Sequence, residues 1–485
     1  MAYKHRVDVV ERPTSVLPPV PVSAGIPFIV GTAPVNMSDA SNVNKPVLCY
    51  TYAEAVAAFG YVPPSDGKFE YTISEFINSQ FALFGAAPVI IVNVLDPATH
   101  KVDATTKAIT LGKASGSAVI EETGVIPSSL TISNSGTAYK ADEDYTVAFD
   151  DAGRLVVTSL TDASGKFRCA TETALTVSAQ KLDPTAVDHE DIIGGVDVSG
   201  KARGLELVGE CFPRFRLVPG ILLAPGYSDN SGVAAVMAAK AASINNLFSC
   251  VALVDAPADG QYSAVPEWKN DNNVIDPRQI VCWPLCSLNG VVYHMSTQLA
   301  GVMCITDSEN DDVPYHSPSN HNFQMDSAVL SDGTEVWLSP DTAEYLNGQG
   351  VVTALNFIGG WKCWGNRTAC YPANTDVKDA FIPVRRMFSW IGNTLIQTYW
   401  QRLDAPLNRR QIETIVDSAN IWMNGLTAKE YILGGRVEFL ETENPTTDLM
   451  DGKAVFHVSF APASPNRNIE FILEYDASYI QTLFG

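Results

Sequence analysis

Short, β-branched apolar runs return along this chain at Ile26–Val30, Pro88–Leu95, Gly220–Ala224, Cys250–Asp255 and Gln279–Pro284. Apolar on both faces, they suit buried strands of a sheet covered on both sides. Between the first two, Thr51 with Glu54 and Thr72 with Glu75 have capping-box spacing and predict helices that stop at Gly60 and Gly85. Asp229 or Asn230 caps an Ala-rich helix to about Leu247, so 220–255 is a βαβ unit with a right-handed crossover. A helix near Met295–Ile305, a polar loop through Asn320 and a short helix opened by Ser339-Pro340 continue the pattern.

Two regions depart from it. Residues 98–198 hold short β-prone pieces (Ser129–Ile132, Tyr145–Phe149, Arg154–Ser159, Leu175–Val177) among Gly, Ser, Asn and Asp turns, which predicts a small all-β module inserted into the α/β pattern. The C-terminal part predicts amphipathic helices over Asp379–Leu403 and Asn408–Trp422. Strands follow at Tyr431–Glu441, Ala454–Ala461 and Asn468–Asp476. The last strand lies beyond Pro462 and Pro465, which free it to leave its own domain. At the other end, residues 1–22 form an extended arm: Val7, Val9 and Val10 precede Pro13, Pro18, Pro19 and Pro21, which block a helix.

The densest local signal is Gly360-Trp361-Lys362-Cys363-Trp364-Gly365-Asn366-Arg367-Thr368, between the α/β and helical regions. Large aromatics, flexible glycines and a planar cation fit a tight structural junction. Trp361 and Trp364 are expected to pack it, Gly365 to permit the turn, and Arg367 to tie the turn to a backbone group or carboxylate.

Composition narrows the class. The chain has 485 residues, enough for two to four domains, and 46% hydrophobic against 18% charged residues marks it as globular. Its formal charge of -22 disfavours nucleic-acid binding and opposes self-association unless geometric contacts or a partner's countercharge offset it. The charge is concentrated in the middle, about -7 over 101–200 and about -9 over 201–364, against about -3 at either end. There is no signal-peptide pattern and no run long enough to span a membrane. Nine scattered cysteines favour reduced thiols.

Candidate chemistry is sparse. The loop Pro225–Gly232 joins a strand to a helix N-terminus but lacks dinucleotide glycine spacing and a P-loop lysine, so it is a cap and turn. Asp307, Glu309, Asp311 and Asp312, with His316 and His321, could face a cation. An EF-hand would need Gly at 312 and Glu at 318, where Asp and Pro stand, and a solvated acidic loop is the plainer reading. Cys282 and Cys286 would lie roughly 13 Å apart on an extended strand, too far for one metal, and are expected as core thiols. No catalytic residue, metal or cofactor is expected.

Several stretches, in their order, resemble the tail sheath proteins of contractile phages and R-type bacteriocins: Asn44-Lys45-Pro46-Val47-Leu48, the strand 88–95, Ile280-Val281-Cys282-Trp283-Pro284, the junction Gly360–Thr368, and the C-terminal helix pair, strand pair and Pro-broken last strand. The likeness covers about 1–97 and 200–485. It implies an α/β multi-domain fold: an N-terminal arm 1–22, an α/β core whose N-terminal part is 23–97, a surface β-rich insert 98–198 and a subtilisin-like middle domain 199–364. A C-terminal domain 365–463 faces the tube, and a donated strand follows at 464–485. The implied function is structural: hexameric rings stack around a tail tube and contract to drive it through a target envelope. The implied partners are other copies, the tube, the baseplate and a tail terminator. The implied place is a virion tail or tail-like particle assembled in the bacterial cytoplasm, with no membrane insertion and no direct nucleic acid. Val7, Val9, Val10, Ile469, Phe471 and Leu473 would join subunits. Arg409 and Arg410 would either meet acidic groups on the tube or cap a solvated face. A subtilisin-like shape carries no protease activity by itself, since no glycine-framed nucleophile serine is present. An α/β enzyme with an inserted β domain, and an adhesin-like binding protein, are the competing readings.

Overall fold

The computed structural model describes residues 19–484 except 21 and 39. Val7, Val9 and Val10 therefore lie outside the described residues. The main sheet has eight strands: β1 (Pro27–Gly31), β2 (Val47–Cys49), β3 (Val89–Asn93), β4 (Ile221–Leu223), β5 (Val251–Asp255), β6 (Gln279–Cys282), β7 (Val351–Asn356) and β8 (Trp361–Trp364). Their spatial order is β2-β3-β1-β4-β5-β6-β7-β8. The inner six are parallel, and both edge strands run antiparallel. Every residue of β1, β3, β5 and β6 is buried, as their unbroken apolar runs require.

This topology corrects one expectation. The α/β core was expected from N- and C-terminal parts, with 199–364 as a separate middle domain. Instead β1 pairs directly with β4, placing Phe28 opposite Leu222, so 23–97 and 199–364 share one sheet. Buried runs of similar length and composition do not encode which neighbour they choose. Among the described residues, the strands from Lys101 to Leu182 pair only with one another and enclose a separate hydrophobic cluster around Ile109, Ile120, Leu155 and Leu175.

Helix α1 (Tyr52–Phe59) starts as expected: Thr51 accepts from the Glu54 amide and Gly60 ends it at φ 75°. The second capping box does not form. Tyr71 is the N-cap of α2 (Thr72–Ile77), while Thr72 Oγ1 accepts from Thr32 N at 3.0 Å and Glu75 is buried against another helix. Tertiary partners outbid the local cap. Asn230 caps α3 (Ser231–Ala242). Helix α4 (Met295–Ser308) follows, buried along nearly its whole length.

The C-terminal part contributes α5 (Ile382–Tyr399), α6 (Arg409–Ala428), β9 (Ile432–Glu438), α7 (Thr446–Met450) and β10 (His457–Pro462). Helix α5 buries Ile382, Met387, Trp390 and Ile391 in the main core. Its Arg386 donates from Nη1 to Asp307 Oδ1 at 2.9 Å and from Nη2 to the Ala24 carbonyl at 3.2 Å, with both charged side chains almost fully buried. Asp307 is thus an internal ion-pair partner rather than part of a solvated loop. The expected strand Asn468–Asp476 is absent: those residues are neither helix nor strand, and among the described residues nothing pairs with them.

Candidate assembly interface

Strands β9 and β10 pair antiparallel from Ile432 opposite Pro462 to Glu438 opposite His457, and among the described residues no third strand joins them. A two-stranded sheet has two outer edges, each a row of peptide groups seeking partners. One edge is closed. Asn420 of α6 accepts from Val437 N at 2.8 Å and donates to Val437 O at 2.8 Å, so its amide stands in for a neighbouring peptide. Among the described residues, no side chain or loop backbone bonds the outer edge of Val458–Ala461 on β10. Sequence reasoning missed Asn420, whose only signal was an amide in an amphipathic helix.

Past Pro465 every residue whose burial is described, through Phe484, is exposed. Ile469, Phe471, Leu473 and Tyr475 recur with a period of two and are 67%, 84%, 94% and 81% exposed. That is the pattern of a strand face with nothing to cover it. A short 3-10 helix, Ala477–Phe484, follows and exposes Tyr479, Leu483 and Phe484.

The junction 360–368 is an edge hairpin that runs into α5. Trp361 is buried, donates from Nε1 to the Asp326 carbonyl at 2.8 Å and lies 5.8 Å from the Trp337 ring. Trp364 is half-buried; the Asn347 amide accepts from its Nε1 at 3.3 Å and donates to the Trp364 and Val351 carbonyls at 2.9 Å each. Gly365 has φ 138°, and a Cβ there would meet the Asn347 side-chain amide at 2.6 Å, so this position needs glycine. Backbone then links the turn to the start of α5, with Ile382 N donating to Asn366 O at 3.0 Å. Arg367 was expected to tie the turn to a backbone group or carboxylate. Its guanidinium lies instead 3.7 Å from the Phe381 ring centroid and 4.3 Å from that of Tyr371. Burial pulls its pKa down, and the neighbouring charge of Arg467, at the root of the C-terminal segment, pulls it further.

Arg409 and Arg410 open α6 and are both exposed; Arg409 donates to Glu413 Oε1 at 2.7 Å on the same helix. Asp311 accepts from Lys429 Nζ at 2.9 Å and from the Tyr431 hydroxyl. Cys282 and Cys286 are buried thiols, and burial raises both well above the usual thiol range. Among the described residues, no group of three His, Cys, Asp or Glu side chains could hold a metal ion, and no helix is long and apolar enough to cross a membrane.

The sheet order reverses between β1 and β4, and the carboxyl ends of strands beside such a point are where α/β folds commonly bind ligands. Here polar side chains are spent on one another. Glu75 accepts from His294 N at 2.7 Å and Thr297 Oγ1 at 2.9 Å, and lies 2.8 Å from His294 Nδ1. Asp255 accepts from both Ser296 N, at 2.9 Å, and Ser296 Oγ. Burial pulls the His294 imidazole down, but the charge and hydrogen bond of Glu75 outweigh it and leave the ring at about 9. Burial likewise pushes the Asp255 carboxyl up. The cluster fastens α2 and β5 to the start of α4.

No protein-family model matches the chain. It is similar to the tail sheath protein of Burkholderia phage BcepMu, 27% identical over 496 residues that span 100% of this chain and 99% of that one. Its fold resembles the anti-feeding prophage baseplate in the contracted state (TM-score 0.58, 14% identical, 98% of both chains). It also resembles the sheath complex of an extracellular contractile injection system, again in the contracted state (TM-score 0.57, 13% identical, 99% of both chains).

Proposed function

We propose, from the premise that the chain is a contractile tail sheath protein, that it polymerises as stacked hexameric rings around a tail tube and shortens to drive the tube through a target envelope. One observation carries the self-assembly reading. Among the described residues the period-two apolar segment Ile469–Tyr475 has no partner, and β10 keeps an open edge. Strand addition across chains satisfies both through main-chain hydrogen bonds. A head-to-tail contact of this kind does not close on itself and generates a helical array. The N-terminal arm 1–22 would add a second link through Val7, Val9 and Val10.

Within this reading 23–97 and 199–364 together form one α/β body with a subtilisin-like outline. The insert 98–198 is an outward-facing β module, since its strands up to Leu182 pair only with one another around their own core and its charge would repel close neighbours, while Val187 and Ile192 anchor it to the main core. Residues 365–463 face the tube, where Arg409 and Arg410 are free to meet acidic groups, and 464–485 is the donated arm. Trp361, Trp364, Gly365 and Arg367 couple the sheet edge to α5. Tube, baseplate and terminator are the partners, and assembly takes place in the bacterial cytoplasm. No step calls for catalysis, and the carboxylates at the strand ends are already bonded to the protein.

Electron microscopy of the purified protein tests this: hollow striated cylinders are expected. Deleting 464–485 should leave a folded, soluble protomer that forms none. Cylinders undiminished by deletions of both 1–20 and 464–485 would refute strand exchange.

A further inference from the structure

Beside the β9–β10 pair lies a second unpartnered feature. The first turns of α6, the end of β9 and α7 enclose an open groove of about 670 Å³ lined by Leu407, Ile412, Val416, Phe439, Leu449 and Met450. That volume falls within the roughly 300–1,000 Å³ range of pockets that enclose a compact apolar ligand. Met450 is 83% exposed at its lip. The charged groups on its rim are Arg409, Glu413 and Asp417, so an uncharged occupant enters without repulsion from a chain of charge -22. Among the described residues, Ala477–Phe484 is an exposed segment of that chemistry, which has no charged side chain and presents Tyr479, Leu483 and Phe484 to solvent.

Polarity connects the two. The groove sits at the end of the hairpin where Glu438 faces His457, since Phe439 directly follows β9. A strand added to the open edge of β10 and antiparallel to it runs toward that end. Residues 468–476, roughly 30 Å when extended, outrun the six residues of β10, about 20 Å long. The helix that follows is then delivered to the groove. A parallel strand would carry it to the opposite end. The chain's own arm leaves β10 at Pro462, the far end from the groove, and stays exposed rather than turning back.

We propose that the C-terminal helix Ala477–Phe484 of one copy seats Tyr479, Leu483 and Phe484 in the α6–α7 groove of another copy, with 468–476 added antiparallel to β10. This rests on the self-assembly reading. It assigns the groove as the lock that follows strand addition.

The test uses the full chain with a benzoylphenylalanine photoprobe at position 483, mixed with an equal amount of 15N-labelled chain lacking the probe, assembled and irradiated. Cross-links into labelled peptides covering 407–417 or 446–453 are expected. Links to those peptides in the unlabelled copy only, or links elsewhere, overturn the proposal while leaving strand exchange standing. Failure of the unmodified protein to form cylinders under the microscope would remove both readings. Met450→Glu, at an exposed position, should raise the concentration needed for polymerisation about tenfold or more, the worth of burying one large apolar side chain. An unchanged threshold overturns the proposal.

Discussion

Replacing Arg386 by Met strips the counterion from a carboxylate held inside the fold. Asp307 and Arg386 are 1% and 3% exposed, and the guanidinium also holds the Ala24 carbonyl ahead of β1. The pair thus joins α4, α5 and the N-terminal segment, three parts distant in sequence. Breaking a buried pair from one side costs about 3–5 kcal/mol, since the remaining charge keeps its desolvation penalty and loses its partner. With an unfolding entropy of about 2.1 cal/mol/K per residue, 485 residues unfolding together lose roughly 3–5 °C of melting temperature. The double variant Arg386→Met with Asp307→Leu should recover at least half of that, because no buried charge is left. The exposed pair Arg409–Glu413 is the control, and Glu413→Gln should leave the transition where it was. Differential scanning calorimetry of the four proteins decides. An Arg386→Met transition within about 1 °C of the parent, or a double variant no more stable than the single one, would show that the pair does not hold these elements together.

The Glu75–His294 bond gives a pH dependence. A ring raised from its ordinary 6.5 to about 9 contributes stability that is complete below 6.5 and lost as pH rises through 9. The melting difference between the parent and His294→Gln, roughly 1–3 kcal/mol near neutrality, should shrink over that window, and a difference that widens would contradict the assignment. Lys269 runs the opposite way, since burial lowers it to about 8, so the comparison must be parent against variant. Trp364→Ala should leave the protomer folded by circular dichroism yet unable to form cylinders, because it loosens the link from β8 to α5; normal cylinders would leave that link without a role. Replacing both Arg409 and Arg410 by Glu should yield sheath polymers that no longer enclose tubes when tube protein is supplied. Sheathed tubes at the parent's frequency would remove the docking role.

Sequence pattern alone determined much of this protein. Strands buried on both faces show as unbroken runs such as 88–95, and Gly60 and Asn230 bound helices where local chemistry suffices. A chain segment behind two prolines with apolar residues at alternate positions predicted a strand, yet among the described residues 468–476 pair with nothing and form neither helix nor strand. The tertiary structure decided whatever depends on choice among equivalent partners. Pairing of β1 with β4 united two regions that the pattern set apart. Thr72 and Glu75 satisfy the local capping rule, yet Thr32 and His294 compete for the same atoms and win. Arg367 found two aromatic rings in place of a carboxylate, and Asp307 left an acidic loop for a buried arginine. Asn420 closes one edge of a two-stranded sheet and leaves the other open, a distinction set by the distance between a side-chain amide and one peptide group. Periodicity records which faces are apolar, because every turn or pleat repeats that choice along the chain. A single long-range hydrogen bond is made once and leaves no repeat to read.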